Sequence, residues 1–499
     1  MVYLGLDSGT QSTKCIALDP DTGRILATAH SSYGMIPNLP AGHLEQHPES
    51  WVDAADAAVR GCLEQLGERR KEVRAIGVSG QQHGLVALNA DNEPVRPAKL
   101  WCDTSTTGQC EAFNHEFGAD EIIALTGNSM LPGYTAPKIL WLKQHEPANY
   151  RATRSILLPH DYLNFWLTGE QRMEYGDASG TALLDIRTRQ WSEPILNFID
   201  PDLAELLPPL ESSRKPCGLL RETLRTEWGL SPNVLVGAGG GDNMMAAIGT
   251  GNVAPGGVVT VSLGTSGTIF AYSPEPVVDE EGELAAFCDS TDAWLPLACT
   301  MNVTVATEQA RHLFGWDHAA MEGAVAAAPA GAGGLLFLPY LNGERTPDLP
   351  RGSGVLHGLT TRNMTPAHYA RAVMEGVTLG IGYGLGRFRS LGLKPTEIRL
   401  TGGGSQSAAW RQICADVFNL PVFCLETAEG AALGAALQAG WTEGAVQGKK
   451  GKLRELVSRV VKPAEGTRCE PDPSRRQLYQ DLQFKQAEMT RRLHAGGFL

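Results

Sequence analysis

The strongest constraint on the fold is a short grammar that the chain uses twice. Val2-Tyr3-Leu4-Gly5-Leu6 reads as a buried strand, Asp7-Ser8-Gly9-Thr10 as a tight turn, and Lys14 to Leu18 as a returning strand. The same order recurs at Val258 to Val261, then Ser262-Leu263-Gly264-Thr265-Ser266-Gly267, then Thr268 to Tyr272. A second pair follows, with Ala75-Ile76-Gly77-Val78 entering Ser79-Gly80 and Ile398-Arg399-Leu400 entering Thr401-Gly402-Gly403-Gly404. A third pair is Val234-Leu235-Val236 leading through glycines into Asp242 to Ala247, matched by Val422 to Leu425 leading into Glu429 to Gly434. Three matched elements in one order predict two similar α/β domains with a boundary near residue 245.

Glycine supports that reading, at 57 of 499 residues against ~7% in ordinary domains. It gathers at Gly237 to Gly241 and Gly402 to Gly404, as expected where turns bring backbone close to another group. Charge excludes other classes. Lys and Arg number 42 against 55 Asp and Glu, a net charge of −13, which argues against a nucleic-acid or anionic-membrane partner. The uncharged stretch Met244 to Pro274 is broken by glycines and Pro255, so it predicts strands and turns rather than a membrane span. The opening residues lack a basic flank and run directly into Asp7, so no secretory leader is expected and the cytoplasm is the expected compartment. Ten scattered cysteines with no CxxC pair predict reduced thiols, not a zinc ribbon or disulfide scaffold. His43 and His47 stand four apart, but Pro48 follows at once, which predicts a solvated turn rather than a metal site.

No G-x-x-x-x-G-K-[ST] occurs, and no G-x-G-x-x-G opens a helix after a strand, so neither a Walker-type nucleotidase nor a Rossmann dehydrogenase is supported. The paired Gly-Thr turns suit a different way of holding phosphate, in which backbone N–H groups and hydroxyls meet the oxygens unobstructed. Asp7 stands at the mouth of the first turn, where a carboxylate can hold Mg²⁺ directly or through water. Asp242 follows four glycines in five positions and starts a helix. Two readings stay open for it: a helix N-cap, or a carboxylate that orients and deprotonates a substrate hydroxyl in phosphoryl transfer. One residue can do both. Trp101 either lines a pocket or packs. Further helices are predicted after the Thr365-Pro366 cap, over Lys452 to Lys462, and over about Ser474 to Ala495.

Asp7-Ser8-Gly9-Thr10-Gln11-Ser12-Thr13-Lys14, Ser262-Leu263-Gly264-Thr265-Ser266 and Thr401-Gly402-Gly403-Gly404 resemble the phosphate-1, phosphate-2 and adenosine motifs of sugar kinases in the actin/hexokinase/heat-shock superfamily. Specifically they resemble the FGGY carbohydrate kinases, over Tyr3 to about Gly440. The resemblance implies two ribonuclease-H-like, actin-like ATPase domains with a cleft between them. Residues 1–245 would bind sugar and 246–499 would bind nucleotide. Within the family, Gly80-Gln81-Gln82-His83-Gly84, Thr126-Gly127-Asn128, Gly133 to Lys138, Leu157 to Tyr162, Gly240 to Asn243 and Leu338 to Pro347 are similar to the branch that phosphorylates D-xylulose.

Carried over by residue, the resemblance makes Asp242 the base on the sugar hydroxyl and puts Gln82, His83, Asn243, Trp101 and Asp103 around the sugar. ATP would meet Gly9, Thr10, Gln11, Lys14, Gly264, Thr265, Ser266, Gly402, Gly403 and Gly404, with Asp7 and Asp242 near Mg²⁺. Two departures bear on the sugar. Many bacterial members of that branch carry Met where this chain has Gln82, and their Trp-x-Asp-x-Arg segment reads Trp101-Cys102-Asp103-Thr104-Ser105 here. Ribulose and gluconate therefore stay open as acceptors, and a sugar sensor or chaperone on the same scaffold is the reading from another class. The implied partners are a small-molecule sugar and ATP, with neither nucleic acid nor membrane. The apolar stripe of the last helix suits core packing or a homodimer equally.

Overall fold

The computed structural model describes residues 1–448 and 453–499. By its contacts the chain forms two compact units, each assembled from separate segments. The first comprises Met1–Ala254, Ser273–Leu295 and Glu429–Val461, the second Pro255–Tyr272, Pro296–Ala428 and Lys462–Leu499.

In the first unit, β1 (Val2–Ser8) pairs antiparallel with β2 (Ser12–Asp19), which pairs with β3 (Arg24–Ser32). On its other side β1 runs parallel to β4 (Val73–Gly80). Short strands β5 (Gly218–Leu219), β6 (Leu235–Val236) and β7 (Gly240–Gly241) complete the sheet in the order β5-β6-β4-β1-β2-β3, with β7 also on β4. β1 is buried at nearly every position because both faces of the sheet are covered. Leu4 and Leu6 meet the helix Pro48–Leu66 through Trp51, Ala55, Val59 and Cys62. That helix starts on Pro48, whose missing N–H costs nothing at a first helical position.

The opposite face takes the helix Gly430–Val446, and here sequence dictates the packing distance. A Cβ on Gly5 would lie 1.9 Å from the Ala432 carbonyl oxygen, and one on Gly77 2.0 Å from that of Ala435. Gly5 and Gly77 are register partners on neighbouring strands, so together they make a shallow seat for this Ala-rich helix. The helix Asp242–Gly249 lies against it equally closely: a Cβ on Gly434 would be 1.7 Å from the Met245 carbonyl oxygen. The third sequence pair thus consists of two small-residue helices that pack on each other. The helix Leu453–Val460 joins the same core through Leu453, Val457 and Val460; Lys452, where the sequence predicts its start, is outside the described residues.

In the second unit, β8 (Val258–Leu263) pairs antiparallel with β9 (Gly267–Ala271) and parallel with β11 (Glu397–Thr401). With β10 (Trp294–Thr300) and β12 (Val422–Cys424), the order is β10-β9-β8-β11-β12. This repeats the pairing of β1 with β2 and β4, as the duplicated grammar predicts. The helix Pro366–Ser390 is capped by Thr365, whose hydroxyl accepts the His368 N–H at 3.3 Å. Its glycines permit close contact, since a Cβ on Gly376 would lie 2.3 Å from the Phe337 carbonyl oxygen. The last helix, Arg476–Ala495, buries Tyr479, Leu482, Gln486 and Thr490. Among the described residues, no helix is long and apolar enough to cross a membrane.

Candidate active site

The first unit gathers its polar groups where β1, β4 and β7 end together. Parallel strands deliver their following loops to one edge of a sheet, where ligands of α/β proteins bind. Asp7 is paired with Lys14 across the hairpin and with Ser79 across the parallel strand. Its Oδ1 accepts the Ser79 hydroxyl at 2.8 Å. Burial raises the Asp7 pKa, against the opposing pull of Ser79 and Lys14. Lys14 itself is committed to Glu429, with Nζ 2.5 Å from Oε2.

The turn after β1 is held by its own backbone and by three side chains. The Gly9 N–H donates to the Ser12 carbonyl at 3.0 Å, and the Tyr33 hydroxyl to the Gly9 carbonyl at 2.5 Å. Gln46 donates to the Thr10 carbonyl at 2.7 Å and accepts from Trp51 and Gln81. Trp101 donates its indole N–H to the Thr10 hydroxyl at 3.0 Å, so it braces this turn. Gln11 is exposed.

Asp242 is the first residue of its helix, with Gly241 as the cap position. Its Oδ1 accepts the Asn243 N–H at 2.8 Å and the Asn243 side-chain amide at 2.9 Å. That amide also donates to Gln82 Oε1 at 3.0 Å, which ties the loop after β4 to the helix after β7. Burial raises the Asp242 pKa to about 7, and the negative charges of Asp7 and Asp177 add to the rise. A carboxyl so placed changes protonation near neutral pH.

His83 has φ of +64°, and its carbonyl is fixed by Lys138 Nζ at 2.8 Å and the Thr135 hydroxyl at 3.1 Å. Its ring lies against Tyr134 and Phe287, centroids 4.8 and 5.7 Å away. A Cβ on Gly180 would come within 2.4 Å of that ring, so this position needs glycine.

Behind these loops lies a group that sequence reasoning did not assign. His160 is fully buried, with Nδ1 2.6 Å from Asp177 Oδ2 and Nε2 3.0 Å from Asp161 Oδ1. Burial favours the neutral ring, but the two carboxylates prevail and lift its pKa well above the usual range. A Cβ on Gly80 would be 2.8 Å from the His160 Cβ and backbone nitrogen, so the start of the helix that carries His160 packs directly on the end of β4. The Leu157 to Tyr162 segment is prominent in sequence, but nothing there says that His160 faces inward.

Asp103 belongs to a separate cluster. Its oxygens accept the Leu44 N–H, Lys99 Nζ, the Ser105 N–H and the Ser105 hydroxyl, at 2.5 to 3.2 Å. His43, Glu45 and Asp103 have the spacing of metal ligands, yet buried Lys99 lies 3.0 Å from Glu45, 3.2 Å from Asp103 and 3.2 Å from His43. The lysine ammonium supplies the positive charge there.

In the second unit, Gly264, Thr265 and Ser266 form the turn between β8 and β9. The Val303 N–H donates to the Thr265 carbonyl at 3.1 Å and the Thr304 N–H to the Gly264 carbonyl at 2.9 Å, while Thr265 is itself exposed. Gly402 has φ of +80°, and a Cβ there would lie 2.7 Å from the Leu263 carbonyl. A Cβ on Gly404 would strike Trp410 at 2.8 Å, but one on Gly403 meets nothing within 4 Å. The structure thus brings Gly402 and Gly404 onto the turn and leaves Gly403 facing open space.

Comparison with known proteins follows these halves. Residues 2–249 match the N-terminal domain of the FGGY family of carbohydrate kinases, and residues 259–443 match its C-terminal domain. The xylulose kinase of Haemophilus influenzae is 40% identical over 487 residues, 96% of this chain and 97% of that one. A ligand-bound xylulose kinase from Lactobacillus acidophilus superposes with a TM-score of 0.92 at 25% identity, covering 100% of both chains. A gluconate kinase from the same organism gives 0.91, also at 25% identity, covering 100% of this chain and 99% of that one.

Proposed function

Because the chain belongs to the FGGY family of carbohydrate kinases, we propose that it phosphorylates D-xylulose, with ATP as donor, to give D-xylulose 5-phosphate and ADP. The observation that carries this reading is Asp242. Its Oδ1 is held by Asn243, and its pKa lies near 7, so it can accept a proton at neutral pH. Asp242 takes the proton from the sugar hydroxyl as that oxygen bonds to the γ-phosphorus and the bond to ADP breaks. Gln82, His83 and Asn243 orient the sugar. Their backbone anchors, Lys138 on His83 above all, hold the hydroxyl in line, and alignment supplies much of the rate.

Trp101 and Asp103 are also given to the sugar in this reading, Trp101 beside the Thr10 turn that it braces and Asp103 from its own cluster with Lys99. The nucleotide's phosphates fall to Gly9, Thr10, Gly264, Thr265 and Ser266, with Gln11 and Lys14 flanking, and its nucleoside to Gly402, Gly403 and Gly404. In this reading residues 1–245 serve the sugar and 246–499 the nucleotide.

Magnesium fits the acidic pair. The charge of Asp7 adds to the burial that raises the Asp242 pKa, and Lys14 is already paired with Glu429. Asp7 and Asp242 would hold the ion, which when bound neutralises phosphate charge. Dependence on ATP makes the cytoplasm the compartment of this reading. A homodimer is also part of it, motivated by Phe484, 73% exposed on the last helix; a monomeric sedimentation coefficient would remove it.

The second reading is a gluconate or ribulose kinase, favoured by the near-equal likeness to a gluconate kinase and by Gln82. Coupled ADP release with Mg²⁺-ATP and D-xylulose, D-ribulose, L-ribulose, gluconate, glycerol or no sugar separates them. The highest kcat/KM is expected with D-xylulose. Preference for gluconate or a ribulose replaces the sugar and keeps the chemistry, whereas no sugar-stimulated release points to a sensor or chaperone.

A further inference from the structure

The segment Leu338 to Pro347 is prominent in sequence, yet the chemistry above gives it no task. Within the second unit it forms a closed loop around Glu344. The Glu344 N–H donates to the Leu349 carbonyl at 2.8 Å, and the Leu349 N–H returns to the Glu344 carbonyl at 3.0 Å. Gly343 has φ of +73°, and a Cβ there would lie 2.4 Å from the Pro350 carbonyl oxygen. Tyr340 anchors the start of the loop through its hydroxyl, 2.9 Å from that of Thr490.

The Glu344 side chain is 4% exposed and points into the residues that follow β10. Its Oε1 accepts the Met301 N–H at 2.6 Å and the Arg345 N–H at 3.0 Å, and its Oε2 accepts the Asn302 amide at 3.3 Å. Asn302 is also buried. Its amide donates to the Gly343 carbonyl at 2.7 Å and its Oδ1 accepts the Asn342 N–H at 3.2 Å. The next two residues, Val303 and Thr304, are those whose N–H groups hold the Thr265 and Gly264 carbonyls. The connection is therefore direct: carboxylate to Met301 and Asn302, then along the chain to Val303 and Thr304, then to the Gly-Thr turn.

We infer that Glu344 is a positioning residue for the nucleotide: it fixes residues 301–304, and through them the turn Gly264-Thr265-Ser266 against the phosphates of ATP. The inference rests on the reading of that turn as a phosphate site. Burial pushes the Glu344 carboxyl up to about 7, against the pull of its hydrogen-bond donors. Such an acid is costly in a core, and its retention is accounted for by what it aligns. An N–H held at both ends cannot drift, and a loosened turn meets phosphate oxygens at poor distance.

The test compares Glu344→Gln, Asn302→Ala and Thr265→Ala with the full-length wild type. It measures calorimetric affinity for a non-hydrolysable ATP analogue with Mg²⁺, steady-state constants for ATP and sugar, and Tm. Glu344→Gln keeps the shape but misplaces a donor, so analogue affinity is expected to weaken and KM for ATP to rise, each roughly tenfold. KM for sugar should stay unchanged. Asn302→Ala should act in the same direction, which keeps the test open if one variant folds poorly. Weakening by Thr265→Ala without weakening by either of the others overturns the role of Glu344 alone. No weakening by Thr265→Ala overturns the phosphate reading together with it. A fall in kcat with both KM values and the analogue affinity unchanged, or an equal rise in both KM values with a lowered Tm, would mean that Glu344 only stabilises the fold.

Discussion

At the end of β1 the residue paired across the hairpin with Lys14 and across the parallel strand with Ser79 is Asp7. At the end of β8 the residue in that place, paired with Thr268 and Thr401, is Ser262. The two hairpins share a backbone plan, an antiparallel return and a parallel neighbour that ends in glycine or runs straight into it, but differ in charge. The first turn carries a carboxylate and is braced by Tyr33, Gln46 and Trp101. The second is uncharged, leaves Thr265 exposed and is held through backbone N–H groups from residues 303 and 304. The same backbone plan therefore occurs twice, and the proposed function gives each copy a phosphate to meet. In the proposed reading the added acid gives the first copy a carboxylate for a cation, and its absence keeps the second free of repulsion toward an anion.

This difference can be broken where it is strongest. Asp242→Asn should lower kcat about 10³-fold while leaving affinity for the ATP analogue within twofold, the loss expected of a general base. Retained turnover near the wild-type rate would remove Asp242 from the chemistry. Asp7→Asn should cost about 10²-fold in kcat through lost charge stabilisation, whereas Ser262→Ala at the matching position should change kcat by less than about threefold. Equal losses at the two positions would mean that charge does not distinguish the turns.

Glycine tests the two units separately. Gly180→Ala puts a methyl into the His83 ring and should raise KM for sugar about tenfold, and Gly402→Ala does the same for ATP by straining a left-handed residue against Leu263. Each should leave the other constant alone.

A pH series sharpens the assignment of Asp242. Its pKa near 7 means that the base form is lost as pH falls, so kcat/KM for sugar should drop about tenfold per unit below pH 7. In the residual activity of Asp7→Asn the acid limb should move to lower pH, because one source of the upward shift is gone. The smallest effect is on stability. A carboxyl whose folded pKa exceeds its unfolded value loses stability as pH rises through the folded pKa. Asp242→Asn should therefore raise Tm more at pH 8 than at pH 5, measured without magnesium by calorimetry; the reverse order would contradict the buried, raised carboxyl.

The sequence alone was enough for the repeated hairpins, the glycine-lined strand ends and the Thr365 cap, because each rests on residues adjacent in the chain. The helix Pro366–Ser390 and the last helix also follow from local pattern, the latter beginning two residues later than predicted. The supports of the site do not. Gln46 holds the Thr10 turn from a different strand, Lys138 holds the His83 carbonyl from a helix, and His160 faces Asp177 across seventeen positions. Each is an ordinary polar residue until a long-range contact gives it an acceptor.

What the sequence by itself determined is the duplicated α/β plan, since short-range hydrogen bonding and period-two burial depend only on neighbours. Tertiary structure decided the rest. Residues 429–461 return to the first unit because Gly430 to Val446 offers backbone flat enough to seat on Gly5 and Gly77. The pKa of Asp242 is likewise raised by burial and then by Asp7 and Asp177, which come near only once the chain has folded. Burial and charge act through space, and distance through space is what a sequence does not state.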